Sequence, residues 1–322
     1  MAKICDLAAW LKSADDILLL GHVFPDGDAA GSAMALKLAL EQLGKRAAVY
    51  LPGGLPQMYA FLPYADDFFS DPEALPFAPK AALAVDVSDP HRLGAGEPLF
   101  SGAPARAVLD HHGTNPGFGE INCIDGSRAA AGELVLELIR ALDVPISVPM
   151  ASWLYTAICT DCGQFGFSNT TGGTMRAAAA CLDAGADAES ITARLYRTRT
   201  QPRTKLLGLV LSGLCVESDG QIAYARLTDA MLREACARRE DNEGVVNYLV
   251  EISGVKIAVL AEERGENTKF SLRSARGYDV AANVAVPLGG GGHANAAGVT
   301  LNLPMEEALK TVLGRVRTAV NK

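Results

Sequence analysis

The stretch Gly21-His22-Val23-Phe24-Pro25-Asp26-Gly27-Asp28-Ala29-Ala30-Gly31-Ser32 follows an apolar run, Ile17 to Leu20, and opens an alanine- and leucine-rich helical pattern. A buried strand thus empties into three ligand-type side chains just as a helix begins. An imidazole and two carboxylates at offsets of four and two residues, with a proline and a glycine among them, suit a loop folded around divalent metal ions. The simpler alternative is a strand-to-helix turn in which Asp28 or Ser32 only caps the helix, since both residue types are favoured there.

Outward from this stretch, strands and helices alternate. Residues 3 to 12 read as an amphipathic helix, 17 to 20 as a strand, and about 29 to 43 as a helix stopped by Gly44. Ala47 to Leu51 is a second strand, 52 to 79 a region of loop and helix, and Ala81 to Val85 a third strand that ends on Asp86. Ala105 to Leu109 is a strand that terminates in Asp110-His111-His112, followed by loop over 113 to 119. Helical patterns near 130 to 142 and 147 to 159 then lead to Thr160-Asp161-Cys162-Gly163. This alternation predicts an α/β fold: a parallel sheet with helices on both faces, its ligands bound beyond the carboxyl ends of the strands.

The pattern changes past residue 172. It is helical to about Thr200, broken at Gly185, and then gives a helix near 203 to 214, strands at 221 to 227, 255 to 262 and 268 to 275, and further helices. That is a smaller mixed α+β domain. We expect a first domain over 1–184, a helical linker over 185–202, and a second domain over 203–322 lying across a cleft from the first.

Composition fits this division. The 322 residues, 49% hydrophobic and 20% charged, support sizeable cores. No apolar run approaches the roughly 18 residues of a membrane span, and the acidic N-terminal stretch lacks a secretory signal pattern, which predicts a cytoplasmic protein. Seven scattered cysteines fit a reducing compartment better than a disulfide framework. The lone Cys159-x-x-Cys162 has no second pair at zinc-finger spacing and reads as core. A net charge of −8 argues against coating of duplex DNA, so any nucleic-acid substrate should be short. The exception is a basic strip from Arg194 to Lys205, read first as a solvated helix face and second as a phosphate-attracting surface.

The acids and imidazoles then gather. His22, Asp26, Asp28, Asp86, Asp110, His111, His112 and Asp161 all fall at or just beyond expected strand ends of the first half, and they include three of the five histidines in the chain. His91 is left over as a loop residue. Two imidazoles with four or five carboxylates suit manganese, with magnesium or cobalt as alternatives, better than a thiolate-ligated zinc. Two such ions, about 3.5 to 4 Å apart, activate a water and clamp the oxygens of an in-line displacement at phosphorus. Neither Ser32 nor Cys162 has the adjacent base that a nucleophile would need.

Taken in order, these motifs resemble the DHH phosphoesterases, named for the triplet that stands here as Asp110-His111-His112. The resemblance covers nearly the whole chain: His22-x3-Asp26-Gly27-Asp28, Asp86-Val87-Ser88-Asp89, the triplet, Asp161 in its Thr-Asp-Cys-Gly context, and Gly289 to His293 followed by Ala297-Gly298. It implies that His22, Asp26 and Asp86 hold one metal, that Asp28, Asp86, His111 and Asp161 hold a second, and that Asp86 bridges them. Asp110 would orient a ligand histidine and His112 would face the scissile phosphate. In the second half the resemblance implies substrate binding by Arg273, Gly290, Gly291, Gly292 and His293, with Asn247 in a further motif. Three positions depart from the family pattern, with Phe24 where asparagine is frequent, Cys162 where threonine is usual and Gly166 where a basic residue is common. None is an expected ligand.

The implied activity is hydrolysis of short single-stranded oligonucleotides and of 3'-phosphoadenosine 5'-phosphate, releasing nucleoside monophosphates or AMP and phosphate. Alternatives are a linear or cyclic dinucleotide phosphodiesterase and a non-catalytic nucleotide sensor, which should have lost metal ligands. The sequence leaves the resident metal, the direction of digestion and self-association open.

Overall fold

The computed structural model describes residues 2–321. It divides into two compact units, with the boundary in the chain between Thr198 and Arg199.

In chain order the first unit holds α1 (Ile4–Ser13), β1 (Ile17–Leu20), α2 (Gly27–Gln42), β2 (Ala47–Tyr50), β3 (Phe68–Phe69), β4 (Ala81–Val85), α3 (Glu97–Gly102), β5 (Ala105–Asp110), β6 (Ile121–Ile124), α4 (Ala131–Ala141), α5 (Val148–Asp161), α6 (Gly172–Asp183) and α7 (Ala188–Thr192). Its six strands form one sheet in the order β3-β2-β1-β4-β5-β6, every neighbouring pair parallel. The central strands are buried on both sides, hence their continuous apolar runs. Ile17, Leu19, Leu83, Val85 and Leu109 pack toward α1, α2, α4 and α5. Leu18, Leu20, Ala84 and Val108 face a smaller cluster with Leu93, Phe100 of α3 and Ala103. Helix α2 is buried along nearly its whole length, so it is apolar all round rather than striped.

The second unit holds α8 (Gln201–Ser212), β7 (Cys215–Glu217), β8 (Ile222–Leu227), α9 (Asp229–Ala235), α10 (Val245–Val250), β9 (Ile257–Arg264), β10 (Asn267–Ser274), β11 (Gly291–His293), β12 (Ala296–Leu301) and α11 (Met305–Val320). Its sheet runs β11-β12-β10-β9-β8-β7, with β8 and β9 parallel and the other neighbours antiparallel. Residues of α11 cover one face, and α8, α9 and α10 cover the other.

Several local expectations change. Strands β3, β6, β7, β11 and β12 were not expected. The glycine run is not wholly loop, because Gly291–His293 pairs with β12. Helix α2 starts two residues earlier than its pattern suggests, and the cap is Asp26 rather than Asp28 or Ser32. Asp26 has extended backbone and accepts hydrogen bonds from the amides of Asp28 and Ala29, both at 3.0 Å. Among the described residues, no helix is long and apolar enough to cross a membrane.

Candidate metal centre

Each strand end or helix end delivers one part of the site. The β1–α2 loop presents His22 and Asp26, and the first turn of α2 presents Asp28. Asp28 is buried, and its carboxylate accepts from the amides of Ala131 (2.6 Å) and Gly132 (2.9 Å) at the start of α4 and from the Ser32 hydroxyl (3.0 Å). Asp86 follows β4 with a left-handed φ of +59°. Asp110 is the last residue of β5, with His111 and His112 just beyond it.

Asp161 differs from the expected placement: it ends helix α5, not a strand. It reaches the site because α2 and α5 pack closely. A Cβ on Gly27 would strike the Thr160 side chain, and one on Gly31 would strike the Trp153 carbonyl and come within 2.9 Å of Ala157 Cβ.

The geometry converges on Asp86. Asp86 Oδ2 lies 3.5 Å from His22 Nε2, while Asp86 Oδ1 lies 3.5 Å from His111 Nε2 and 3.6 Å from His112 Nδ1. His22 Nε2 is 3.9 Å from Asp26, and His111 Nε2 is 3.7 Å from Asp28 and 3.4 Å from Asp161. Three overlapping triads result, His22–Asp26–Asp86, Asp28–His111–Asp161 and Asp86–His111–His112, each with one ligand atom per residue within 4.8 Å of the others. The six expected ligands therefore meet in one place.

Supporting contacts fix ring orientation. His22 Nδ1 lies 2.8 Å from the Val23 carbonyl and His111 Nδ1 lies 3.2 Å from the Arg128 carbonyl, so Nε2 of each faces the carboxylates. Fully buried Asp110 accepts from the His111 amide (2.9 Å), from His112 Nδ1 (2.8 Å) and from Asn115 Nδ2 (2.7 Å).

Crowded charge shifts the titrations. Burial and the nearby Asp86 and Asp161 carboxylates hold the Asp28 carboxyl well above its ordinary range. Burial works against ionisation of Asp86, but the facing imidazoles of His111 and His22 prevail and hold it at about 2. Burial also opposes charge on His111, yet Asp86, Asp28 and Asp161 push it up to about 10. Burial carries Asp161 up to about 6 against the pull of His111. For His112 the hydrogen bond to Asp110 raises the pKa over the opposing effect of burial.

One atom decides what this cluster is for. Asp86 Oδ1 is buried and has no hydrogen-bond partner, a costly arrangement unless something else binds it. With oxygen and imidazole donors around it and no thiolate, the residues fit hard divalent cations.

The other expected residues lie elsewhere. In the second unit, Arg273 on β10 pairs with Ala296 on β12, which pairs in turn with His293 on β11. Arg273 and His293 therefore share one cross-strand row with a small alanine between them. Arg273 is half-buried, donates to the Leu272 carbonyl, and has its pKa lowered by burial. Asn247 is exposed on α10, and among the described residues no hydrogen bond joins it to Arg273 or His293. Gly290 packs against β12, and Gly291 and Gly292 form β11 with His293.

Cys159 and Cys162 are fully buried, with the Cys159 thiol pushed up to about 11 by burial, so neither is a free thiolate. The basic strip is occupied locally: Arg194 sits over the Phe61 ring, Arg199 bonds Tyr248, and Arg203 and Lys205 donate to the carbonyls of Glu243 and Glu234. His91 is exposed and sits in a short 3-10 helix, Pro90–Gly96, rather than in loop.

Two residues of the site escape the sequence reading. Arg92 brings a guanidinium nitrogen 3.1 Å from His22 Nδ1. Asn115 ties Asp110 to the Val87 carbonyl next to Asp86 (2.9 Å). The only signals were their positions six residues after Asp86 and five after Asp110.

Comparison with known proteins agrees with this geometry. Residues 16–158 match the model of the DHH family, N-terminal domain, and residues 219–322 match that of the DHHA1 domain. The chain is 37% identical over 322 residues to a bifunctional oligoribonuclease and PAP phosphatase NrnA of Thermus thermophilus, covering 98% of this chain and 94% of that one. It is 29% identical to a protein of the same name from Mycoplasma genitalium, covering 90% of each. An exopolyphosphatase-related protein from Bacteroides fragilis, known by crystal structure, superposes with a TM-score of 0.90 at 28% identity, covering 99% of this chain and 96% of that one.

Proposed function

The chain belongs to the DHH family of phosphoesterases, and from that premise we propose that it hydrolyses short single-stranded oligonucleotides to nucleoside monophosphates and 3'-phosphoadenosine 5'-phosphate to AMP and phosphate. The observation that carries this reading is the orphaned oxygen Oδ1 of Asp86, a residue shared by two of the three triads, together with relatives named for both activities. In this reading His22, Asp26 and Asp86 hold one divalent cation, Asp28, Asp86, His111 and Asp161 hold the other, and Asp86 is common to both. Manganese is the first choice and magnesium or cobalt the alternatives. Bound cations supply a low-pKa water and offset charge on the phosphoryl group.

The chain's own residues do the rest. Asp28, anchored on the amides of α4, and His111, anchored on the Arg128 carbonyl, keep their ligand atoms in fixed positions. Asp110 accepts a hydrogen bond from His112 Nδ1–H and favours the protonated ring, leaving Nε2–H for a phosphate oxygen or the departing oxygen. Asp110 does not need to accept that proton to act.

Residues 1–184 would carry this chemistry, 185–202 would link, and 203–322 would bind substrate. Arg273, with a planar fork of donors and no acidic partner among the described residues, suits a phosphate. His293 and the backbone of Gly290, Gly291 and Gly292 would add contacts, with Asn247 in support. We place the enzyme in the cytoplasm, and its net charge of −8 fits short substrates rather than coating of duplexes. The test is a manganese-supplemented assay with a dinucleotide-to-pentanucleotide RNA ladder and 3'-phosphoadenosine 5'-phosphate, resolving product length over time. Mononucleotide release and phosphate release are the expected results, and inactivity on every substrate would overturn the reading.

A further inference from the structure

Phe24 sits in the loop that carries His22 and Asp26, two residues from each. Its side chain is 92% exposed, and its backbone lies in the left-handed region at φ +54°. Both features act against stability. A bulky side chain is disfavoured at positive φ, and a phenyl ring left in water forgoes the gain from burial. The ring fills no gap in the core, and glycine or asparagine would meet the backbone requirement with less strain.

The loop nevertheless fixes the backbone on both sides of Phe24. On its near side the Val23 amide donates to the Arg92 carbonyl at 2.7 Å. On its far side Pro25 is buried and Asp26 caps α2. Of the residues from Gly21 to Asp28, only Phe24 and Asp26 are exposed, so an aromatic face and a ligand carboxylate reach the surface from the same short turn. Strain at a position fixed on both sides points toward function rather than folding.

We propose that Phe24 is the platform on which the substrate's nucleobase stacks while its phosphate occupies the cluster around Asp86. The proposal rests on the function argued above and names a specificity-determining residue for it. Stacking suits an enzyme that takes short oligonucleotides of any sequence, because every base offers a π-face and no hydrogen-bond pattern is read. The ring is a single isolated aromatic between a half-buried valine and a buried proline, which matches the footprint of one base better than that of a protein surface.

The test compares wild type with Phe24→Ala, Phe24→Asn and Phe24→Trp on adenosine 3',5'-bisphosphate and on ribose 3,5-bisphosphate, which lacks the base. The Ala and Asn variants should raise KM for the nucleotide about tenfold, with kcat nearly unchanged and KM for the base-free compound equal to that of wild type. Tryptophan should restore KM. Asparagine tolerates left-handed backbone, so that variant should melt no lower than wild type while binding the nucleotide more weakly, which separates recognition from folding.

A second readout needs no turnover. In magnesium-loaded Phe24→Trp, a non-hydrolysable phosphonate analogue of adenosine 3',5'-bisphosphate should quench a fluorescence component absent from wild type, whose own tryptophans are Trp10 and Trp153. Equal KM changes on both compounds, no change on either, or no quenching would overturn the proposal. Inactivity of wild type on all substrates would instead count against the function, and the quenching experiment would still decide the role of Phe24.

Discussion

Asp86 carries more of the site than any other single side chain, and the residues around it show why. Its backbone is left-handed just past the end of β4, and one carboxylate oxygen faces His22 while the other faces His111 and His112. Asp110 plays the complementary part: buried, acceptor to three donors, and in contact with no expected ligand except through His111 and His112. Asp110→Asn should keep the fold and lower activity about 10- to 100-fold, as loss of an orienting carboxylate typically does, measured as kcat on short RNA. Wild-type activity in that variant would remove Asp110 from the mechanism. The titrations predict a pH effect with a definite sign. In the metal-free chain, the His111 pKa of about 10 contributes stability that is complete below its ordinary ~6.5 and is lost as pH rises toward 10. Asp161, raised to about 6, is ionised at a cost above that pH and relieved of it below. Asp86, held at about 2, contributes stability that is present above its ordinary ~3.9 and lost only as pH falls through 2. From about pH 6 to 8.5 the metal-free chain should therefore lose stability, while cation binding, which must displace the His111 proton, should strengthen. The rise in Tm caused by manganese should be larger at the higher pH. A shift independent of pH would mean that these groups are not the ligands.

Helices α2 and α5 decide whether the ligands meet, because α2 brings Asp28 and α5 brings Asp161. Gly31→Ala would drive a methyl group into the Trp153 carbonyl and Ala157. Overpacking of this kind costs about 1–3 kcal/mol, more than the roughly 1 kcal/mol that alanine gains over glycine in a helix. The variant should melt lower in thermal unfolding and bind manganese more weakly, and an unchanged Tm would show that the helices have slack. Elements also explain what the sequence could convey. Ile17–Leu20 and Ala81–Val85 are legible because strands buried on both faces must be apolar throughout. Ile121–Ile124 is an edge strand, mostly half-exposed and interrupted by Asn122, so it lacks both the continuous run and the strict alternation. Ala296–Leu301 hides because its alanines and glycine look like loop, although glycine is tolerated there beside the close-packed β11. Asp161 lies just past the helical pattern expected over 147 to 159 and ends α5, so it reaches the site from a helix end while the ligands grouped with it come from strand ends.

Across the whole chain, motif order gave the site more fully than it gave the fold. Acids and imidazoles from residue 22 to residue 161 lie in one place because parallel strands β1, β4 and β5 end at the same edge of one sheet, so that ligands far apart in sequence converge. Arg92 and Asn115 stayed hidden for a physical reason: each acts by contacting another functional residue, and a single arginine or asparagine in a loop has no periodicity or spacing to announce it. The pairing of a cation-binding unit with an arginine- and glycine-bearing sheet fits a phosphoesterase for small anionic substrates. Counting manganese bound to purified protein by isothermal titration and elemental analysis, for wild type and Asp86→Ala side by side, tests that account at its root. Two ions per wild-type chain, with both lost or severely weakened when Asp86 is removed, is the expected outcome, and either fewer than two in wild type or two retained in Asp86→Ala would refute it.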